Sequence, residues 1–120
     1  MTILIVEDDQ NVNEYSATIL VENGYAVVKA KTFHEAMDVF KKYREEIQLV
    51  FSDVILPDKN GPELVSEILL VKPDIKVLMA SGYIDQKSHW TTIQEKGYPF
   101  LQKPYSIYEL LSSIKEILRR

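Results

Sequence analysis

The feature that most constrains this fold is a regular alternation between short apolar runs and longer segments with helical spacing. Five runs are apolar on successive residues, which is typical of strands covered on both faces, as in a parallel sheet between two layers of helices. The runs are Ile3-Leu4-Ile5-Val6, Tyr25-Ala26-Val27-Val28, Leu49-Val50-Phe51, Val77-Leu78-Met79-Ala80 and Tyr98-Pro99-Phe100-Leu101. The pattern predicts five strands, each followed by a helix.

Three of these helices have well-marked starts, namely two capping boxes and one proline at the first helical position. The signals are Thr32 with Glu35, Ser106 with Glu109, and Asn60-Gly61-Pro62. The fourth helix, about Ile84 to Lys96, differs because several of its residues belong to the poorer half of the helix-propensity scale. We therefore expect the fourth helix to be the most mobile one.

Five strand–helix units in 120 residues predict one doubly wound α/β domain that spans residues 1–120. The flavodoxin-like strand order 2-1-3-4-5 fits a five-strand chain better than the six-strand order of dinucleotide-binding domains. Apolar residues make up 46% of the chain, which is enough for a sizeable core, and the length leaves little room for a second domain.

Composition argues against several classes of function. The chain has no cysteine, which excludes disulfides, thiolate metal sites and a cysteine nucleophile. Its net charge of −4 argues against non-specific nucleic-acid binding, which depends on clustered basic residues. No apolar stretch approaches the roughly 20 residues of a membrane span, and the amino terminus lacks a signal-peptide pattern. We therefore expect a soluble, cytoplasmic domain that contacts neither nucleic acid nor membrane.

Polar side chains follow four of the five predicted strands. The first strand ends in Glu7-Asp8-Asp9, the third in Asp53, the fourth in Ser81 and the fifth in Lys103-Pro104. Ligands of open parallel sheets bind beyond the carboxyl ends of the strands, which share one edge. Taken singly, each residue has an ordinary explanation as a helix cap, a turn or a solvated lysine. Together, four strand ends at one edge favour a binding site.

The acidic residues at this edge predict a magnesium site. Two charges ~4 Å apart repel by about 4 kcal/mol at an effective dielectric near 20, so a cation must offset them. Mg²⁺ takes oxygen ligands, keeps several waters and needs only one or two carboxylates. Mg²⁺ together with Lys103 would balance Glu7, Asp8 and Asp53, so that a phosphoryl group would meet little net repulsion. We assign Asp9 to capping of the next helix.

Other chemistries find no motif in this chain. A Gly-x-Gly-x-x-Gly turn and a Gly-Lys-Ser/Thr loop are both missing, so nucleotide phosphates have no backbone cradle. His34 and His89 lie in different predicted helices without metal-ligand spacing, and we expect both on or near the surface. Neither histidine supports a catalytic triad.

The residues at the strand ends resemble the receiver domain of two-component response regulators, and the resemblance covers essentially the whole chain. It is carried by Val6-Glu7-Asp8-Asp9, by Asp53 followed by Pro57 and Gly61, by Ser81 and by Lys103-Pro104. Ser81-Gly82-Tyr83 and the segment from Phe100 to Tyr105 look most like receivers of hybrid sensor histidine kinases. Since the chain ends directly after its last predicted helix, we expect either a stand-alone receiver or an excised one.

The resemblance implies that Asp53 is a phosphoacceptor. It would take a phosphoryl group from a phosphohistidine on a histidine kinase or a histidine phosphotransfer protein. Glu7, Asp8, Asp53 and the main-chain carbonyl of Ile55 would hold Mg²⁺. Such a domain is a signalling phosphoacceptor, which gains and loses its phosphoryl group, rather than a multiple-turnover enzyme.

The same resemblance implies a switch. Lys103 would pair with the phosphoryl oxygens, and Ser81 would donate a hydrogen bond to one of them. Phe100 would then turn into the space that Ser81 leaves. The surface of the fourth helix, fifth strand and fifth helix would pass the signal to an output domain or protein. Three aromatic residues, Trp90, Tyr105 and Tyr108, could contact such a partner, but core or half-buried packing explains them at least as well. The Lys103-Pro104 peptide bond is expected to be cis.

Two alternatives stay open. A Mg²⁺-dependent phosphatase of the haloacid dehalogenase type needs a second aspartate two residues after its nucleophile, as general acid and base, where this chain has Ile55. A non-phosphorylated interaction module would keep the fold without using Asp53. Ile55 and Tyr83 follow Asp53 and Ser81 by two residues, at positions that govern water access, and their bulk motivates a hypothesis of slow self-dephosphorylation.

Overall fold

The computed structural model of the chain describes residues 1–82 and 87–120, with only the backbone described for 87–90. The strands are β1 (Thr2–Val6), β2 (Ala26–Ala30), β3 (Ile47–Asp53), β4 (Lys76–Ser81) and β5 (Phe100–Gln102). The helices are α1 (Gln10–Glu22), α2 (Phe33–Tyr43), α3 (Gly61–Val71), α4 (Lys87–Lys96) and α5 (Ile107–Arg119). In the described ranges, none of them combines the length and the apolar character that crossing a bilayer requires.

The five strands form one parallel sheet in the order β2-β1-β3-β4-β5, with helices on both faces. The predicted α/β fold and strand order are confirmed. The continuous apolar run in β1 has a direct explanation, because successive side chains of a strand point to opposite faces. Ile3 and Ile5 pack with residues of α1 and α5, whereas Leu4 and Val6 pack with residues of α2 and α3.

Side-chain caps fix the helix starts where the sequence predicts them. Ser106 and Glu109 form a complete capping box at α5. The Thr32 hydroxyl accepts a hydrogen bond from the amide of Glu35 at 3.0 Å, which caps α2. Asp9 caps α1 by accepting from two amides of its first turn, as expected. Such caps satisfy amides that have no partner inside the helix.

The first, third and fourth strands extend the predicted apolar runs by one or two residues, whereas the second and fifth strands begin later than predicted. The fifth strand begins at Phe100 rather than Tyr98, because Pro99 has no amide hydrogen to donate to the sheet. The amide of Tyr98 bonds instead to the carbonyl of Ile93 in α4, at 3.1 Å. The second strand extends to Ala30, whose carbonyl accepts from the amide of Glu7. Tyr83 and the side chains of His89 and Trp90 lie outside the described residues, and the mobility of α4 stays a prediction.

The strand order determines where a ligand site can form. From β1 the chain crosses to β2 on one side, and it then returns to place β3 on the other side of β1. In doubly wound sheets, such a reversal opens a crevice beyond the carboxyl ends of the two central strands. The ends of β1 and β3 carry the predicted acidic residues, so the fold places them beside this crevice.

Candidate functional site

The register between β1 and β3 brings the predicted carboxylates together. Val6 pairs with Ser52, so that the next residues along each strand, Glu7 and Asp53, reach the same level. One carboxylate oxygen from each of Glu7, Asp8 and Asp53 lies within 4.8 Å of the other two. Glu7 is buried, Asp53 is half-buried and Asp8 is exposed. The cluster is therefore open to solvent on the Asp8 side.

Lys103 reaches the same cluster from the end of β5. Its Nζ atom donates to Oε1 of Glu7 and lies 3.0 Å from Oδ2 of Asp53. The amide of Lys103 also donates to the carbonyl of Ser81 at 3.0 Å, which fixes this residue beside the end of β4. With 21% of its side chain exposed, Lys103 is a paired ammonium group rather than a solvated surface lysine.

In this cluster three carboxylates share one ammonium group, and burial raises the pKa of two of the carboxyl groups. Burial raises the pKa of Asp53 above its usual range, with the charge of Asp8 acting in the same direction, despite hydrogen bonds from Lys103 and from the Ile55 amide. Burial likewise raises the pKa of Glu7. For Lys103, burial alone would lower the pKa, but its bonds to Glu7 and Asp53 prevail and raise it. The ammonium group therefore stays charged while the carboxylates still lack a full complement of cations.

The donor set suits a hard divalent cation. Mg²⁺ prefers oxygen ligands and usually keeps several waters. Three carboxylates within 4.8 Å of one another provide such oxygens, and the exposure of Asp8 leaves room for waters. Ile55, which lines the cleft above Asp53, is the residue whose carbonyl was expected to complete the set. The residues present therefore fit a magnesium ion.

The cluster opens into a cleft of about 360 Å³ whose walls include Asp8, Asp53, Ile55, Ser81 and Lys103. Ser81 is buried at the end of β4 and lines this cleft. Ile55 is 38% exposed at the rim. Five of the predicted residues thus surround one space that a phosphoryl-sized group could enter.

Phe100 lies farther from the cluster. Phe100 of β5 pairs with Met79 of β4, whereas Ser81 pairs with Gln102, two residues further along β5. Its ring is half-buried against the apolar cluster that contains Val54, Val65 and Ile93. Phe100 therefore lies two residues along the sheet from the level of Ser81 and the cleft. Its role in switching stays a prediction.

The residues after Lys103 continue the site toward α1. The Lys103–Pro104 peptide bond is cis, as expected. Tyr105 is half-buried, with its hydroxyl 2.6 Å from the hydroxyl of Ser16 and its ring edge-on to Phe51. Tyr108, for which core packing was an alternative, is 79% exposed instead. Its position on the outer face of α5 explains the difference, since none of the described side chains covers a tyrosine there.

Two residues that support the site, Asn13 and Asp58, were not among the predicted ones, and the close contact of Gly61 was not predicted although Gly61 belongs to the motif that follows Asp53. Asn13 is buried, and its side-chain amide donates to the carbonyls of Glu7 and Ala30 at 3.0 and 3.1 Å. The sequence could have indicated Asn13 as a polar residue among the positions of α1 that face the core. Gly61 approaches Asp53 so closely that a Cβ atom would lie 2.2 Å from the Asp53 carbonyl oxygen. Asp58 bonds to the start of α2, and no periodic pattern indicates such a contact.

Comparisons with known proteins agree with this geometry. The family model of the response regulator receiver domain matches residues 3–115. The chain is 33% identical over 119 residues to sensor kinase CckA of Brucella abortus, covering 99% of this chain and 13% of that protein. It is 32% identical over 120 residues to response regulator RR06 of Streptococcus pneumoniae, covering 100% of this chain and 54% of that protein. The chain thus spans about half, or less, of the length of these curated relatives.

Solved structures show the same relationship. A CheY-like receiver domain protein of Methanospirillum hungatei superposes with a TM-score of 0.88 at 32% identity, covering 98% of this chain and 93% of that one. The receiver domain of the hybrid histidine kinase CckA superposes with a TM-score of 0.83 at 31% identity, covering 98% and 99%. Because the family model and the solved structures match nearly its whole length, the chain belongs to the response regulator receiver domain family of two-component systems.

Proposed function

We propose that Asp53 is the phosphoacceptor of this receiver domain and takes its phosphoryl group from a phosphohistidine. The observation that carries the proposal is the convergence of Glu7, Asp8 and Asp53 within 4.8 Å, together with the Lys103 ammonium 3.0 Å from Asp53. The donor would be a histidine kinase or a histidine phosphotransfer protein. The family match does not favour the phosphatase alternative, and the position of its second aspartate is occupied by Ile55.

Phosphoryl transfer in this site is an in-line displacement at phosphorus. A carboxylate oxygen of Asp53 forms the new P–O bond while the P–N bond to the donor imidazole breaks, and the imidazole leaves with the bonding electron pair. Catalysis of this kind depends on positioning and on neutralisation of charge rather than on covalent chemistry by other groups. Lys103 holds the Asp53 carboxylate and is close enough to follow the incoming phosphoryl oxygens.

We extend the proposal to Mg²⁺, which Glu7, Asp8, Asp53 and the Ile55 carbonyl would hold. When bound, this ion supplies the positive charge that the carboxylates and the transferred phosphoryl group require. The two oxygens of Glu7 already accept hydrogen bonds, from Lys103 and from the amide of Asp9. Asp8 and Asp53 are therefore the better candidates for direct coordination, with Glu7 acting through a water molecule.

The consequence of phosphorylation follows from charge. An aspartyl phosphate carries about two negative charges and additional acceptor oxygens, where the carboxylate carried one charge. Ser81 lines the same cleft and would donate to a phosphoryl oxygen, and Phe100 would respond on the neighbouring strand. The surface of α4, β5 and α5 would then present the change to an output domain or protein. Relatives of this chain are named both as a sensor kinase and as response regulators, so either context suits the proposal.

Intact-mass analysis tests the proposal directly. The protein is incubated with acetyl phosphate and Mg²⁺, and it is compared with Asp53→Asn and with Asp74→Asn. Asp74 is an exposed aspartate before β4, at the opposite edge of the sheet, and serves as the matched control. We expect a single phosphoryl adduct in the parent and in Asp74→Asn, none in Asp53→Asn, and none in the parent after chelation of Mg²⁺.

Two results would contradict the proposal. An unmodified parent under these conditions would favour an interaction module that does not use phosphorylation. Continuous release of phosphate from a phosphomonoester, over many turnovers, would favour the phosphatase. Transfer from a phosphorylated histidine kinase or histidine phosphotransfer protein is the corresponding test for the natural class of donor.

A further inference from the structure

The carboxylate of Asp58 caps a helix to which it does not belong. Its Oδ1 atom accepts a hydrogen bond from the amide of Phe33 at 2.8 Å, and its Oδ2 atom accepts from the amide of His34 at 3.1 Å. The Nδ1 atom of His34 lies 2.6 Å from the same Oδ2. Asp58 is in the loop between β3 and α3, whereas Phe33 and His34 are the first residues of α2. One side chain therefore joins two segments that are distant in sequence.

This contact completes the start of α2. The first amides of a helix have no partner inside the helix, and a negative charge is favourable at that end. Thr32 satisfies the amide of Glu35, while Asp58 satisfies the amides of the two residues before it. Helix and loop consequently depend on each other at this point.

An apolar contact and a cation–π contact strengthen the attachment of the loop. Leu56 is buried in the core cluster that also contains Phe33 and Ala36. The Nζ atom of Lys59 lies 4.6 Å from the centre of the Phe33 ring, in a cation–π contact. The loop therefore packs against α2 both before and after Asp58, through Leu56 and Lys59.

The same loop forms one wall of the phosphoacceptor cleft. Ile55 lines this cleft together with Asp8 and Asp53. The loop is closed by a bridge between Ile55 and Asn60 and by a hydrogen bond of 2.7 Å from the amide of Gly61 to the carbonyl of Val54. Displacement of the loop at Asp58 would therefore be transmitted to Ile55, three residues away.

We propose that Asp58 is a positioning residue of the phosphoacceptor site, which fixes Ile55 beside Asp53 by fastening the loop to the start of α2. The inference rests on the proposed function, because Ile55 is one of the proposed ligands of Mg²⁺. Without the Asp58 carboxylate, the loop samples more conformations, and Mg²⁺ binding must then order it. The expected consequence is weaker binding of Mg²⁺.

The test compares two ways of weakening the same helix end. Thr32→Ala removes the cap of α2 without touching the loop, and Asp58→Ala removes the cap and also frees the loop. The dissociation constant of Mg²⁺ is measured by calorimetry on the unphosphorylated protein. We expect Asp58→Ala to raise it about tenfold, at the lower end of the effects seen for residues that orient metal ligands. Thr32→Ala should leave it unchanged.

A kinetic measurement separates positioning from general damage. The rate of phosphorylation by acetyl phosphate is followed against Mg²⁺ concentration. Asp58→Ala should need more Mg²⁺ for half of the maximal rate, yet reach the parent rate at saturation. Asp58→Asn, which keeps one acceptor oxygen, should fall between the parent and Asp58→Ala, and it replaces the alanine variant if that protein does not fold.

The outcomes are distinct. Faster exchange of the Phe33 and His34 amides with solvent would show that Asp58→Ala and Asp58→Asn loosen the helix end. If these variants nevertheless bind Mg²⁺ as the parent does, the inference is wrong and the proposed function stands. An equal loss of affinity in Thr32→Ala would also overturn it, because helix capping alone would then explain the effect. A parent that binds Mg²⁺ but gains no phosphoryl group would overturn the proposed function, while the Mg²⁺ measurements would still decide the role of Asp58.

Discussion

The Nζ atom of Lys103 lies 3.0 Å from Oδ2 of Asp53, although the two residues are 50 positions apart in the chain, and the same Nζ also pairs with Glu7. One ammonium group is thus shared by two carboxylates, with Asp8 beside them. Because negative charge exceeds positive charge here, substitution of Asp53 and substitution of Lys103 should affect stability in opposite directions. Removing the anion relieves repulsion, whereas removing the cation increases it.

Asp53→Asn is therefore expected to stabilise the protein in metal-free buffer. The raised pKa of Asp53 means that its ionised form costs free energy in the folded state at neutral pH. Lys103→Met should have the opposite effect and lower the free energy of unfolding by about 2 kcal/mol, somewhat less than for a fully buried ion pair. Thermal unfolding of the three proteins in the presence of a chelator measures both effects.

Addition of Mg²⁺ provides the control for this pair of variants. A ligand that binds only the folded protein raises its unfolding temperature. Mg²⁺ should stabilise the parent and Lys103→Met clearly, and Asp53→Asn least. If Asp53→Asn unfolds at a lower temperature than the parent without metal, the cluster is not short of positive charge and this explanation is wrong.

Gly61→Ala is expected to lower the free energy of unfolding by about 2–4 kcal/mol. A Cβ atom at this position would lie 2.2 Å from the carbonyl oxygen of Asp53 and 2.7 Å from Cε of Met79. The methionine can move, but the backbone of β3 cannot move without displacing Asp53. Urea unfolding measures the loss.

The matched control is Gly82→Ala. The nearest atom to a Cβ there is Cβ of Lys103, at the ordinary contact distance of 3.9 Å. Its effect should stay within about 1 kcal/mol. Equal stabilities of the two variants would show that the approach of Gly61 to Asp53 is not a constraint.

Asn13→Ala is expected to lower the free energy of unfolding by about 1–3 kcal/mol. The buried side-chain amide of Asn13 donates to the carbonyls of Glu7 and Ala30, and it joins the ends of β1 and β2 next to the acidic cluster. Without it, the carbonyl of Glu7 loses this partner inside the protein. Asn11→Ala, in the exposed part of the same helix turn, should have little effect. Similar losses in both variants would argue for helix propensity instead.

Much of the fold follows from local rules that act on few residues. The apolar run of β1 predicts a strand covered on both faces, because its odd and even side chains must each find a core. The Ser106 capping box marks the start of α5 because the interaction is confined to one helix turn. The proximity of Glu7, Asp53, Ser81 and Lys103 was predictable for a topological reason, since parallel strands end at a common edge.

The remaining features depend on contacts between segments that carry no periodic signal. Asp58 looks like any polar loop residue until α2 is placed beside it, and only then do its three hydrogen-bonding partners become apparent. The close approach of Gly61 to Asp53 likewise depends on how α3 enters the sheet. The start of β5 was mispredicted because hydrophobicity outweighed the missing amide of Pro99.

Ile55→Ala is expected to shorten the lifetime of the phosphorylated protein several-fold. Ile55 lines the rim of the cleft and is 38% exposed, so its side chain stands between the solvent and the proposed phosphoryl position. Loss of the adduct is followed by intact mass after removal of the phosphodonor. Leu70→Ala, which truncates an exposed apolar side chain near the end of α3, is the control. A half-life of only seconds in the parent would contradict the hypothesis of slow self-dephosphorylation.

The last prediction concerns pH and the Asp58 contact. Desolvation alone would raise the pKa of Asp58, but hydrogen bonds from the His34 ring and from the amides of Phe33 and His34 hold it well below its usual range. A carboxyl group with a lowered pKa in the folded state adds stability above its unfolded pKa of about 3.9. This contribution is lost as the pH falls below that value toward the folded pKa.

The stability difference between the parent and Asp58→Asn should therefore be largest near neutral pH and should shrink below about pH 4. His34 and Lys59 are the basic side chains that flank this contact, and both proteins contain them. Both proteins also contain Glu7 and Asp53, whose raised pKa values act in the opposite direction. Comparison of the two proteins by urea unfolding from about pH 3 to pH 7 thus isolates Asp58. Thr32→Ala, which removes an uncharged cap at the same helix end, should differ from the parent by a constant amount over that range. A difference for Asp58→Asn that is equally constant would show that the carboxylate is not selectively bound in its ionised form.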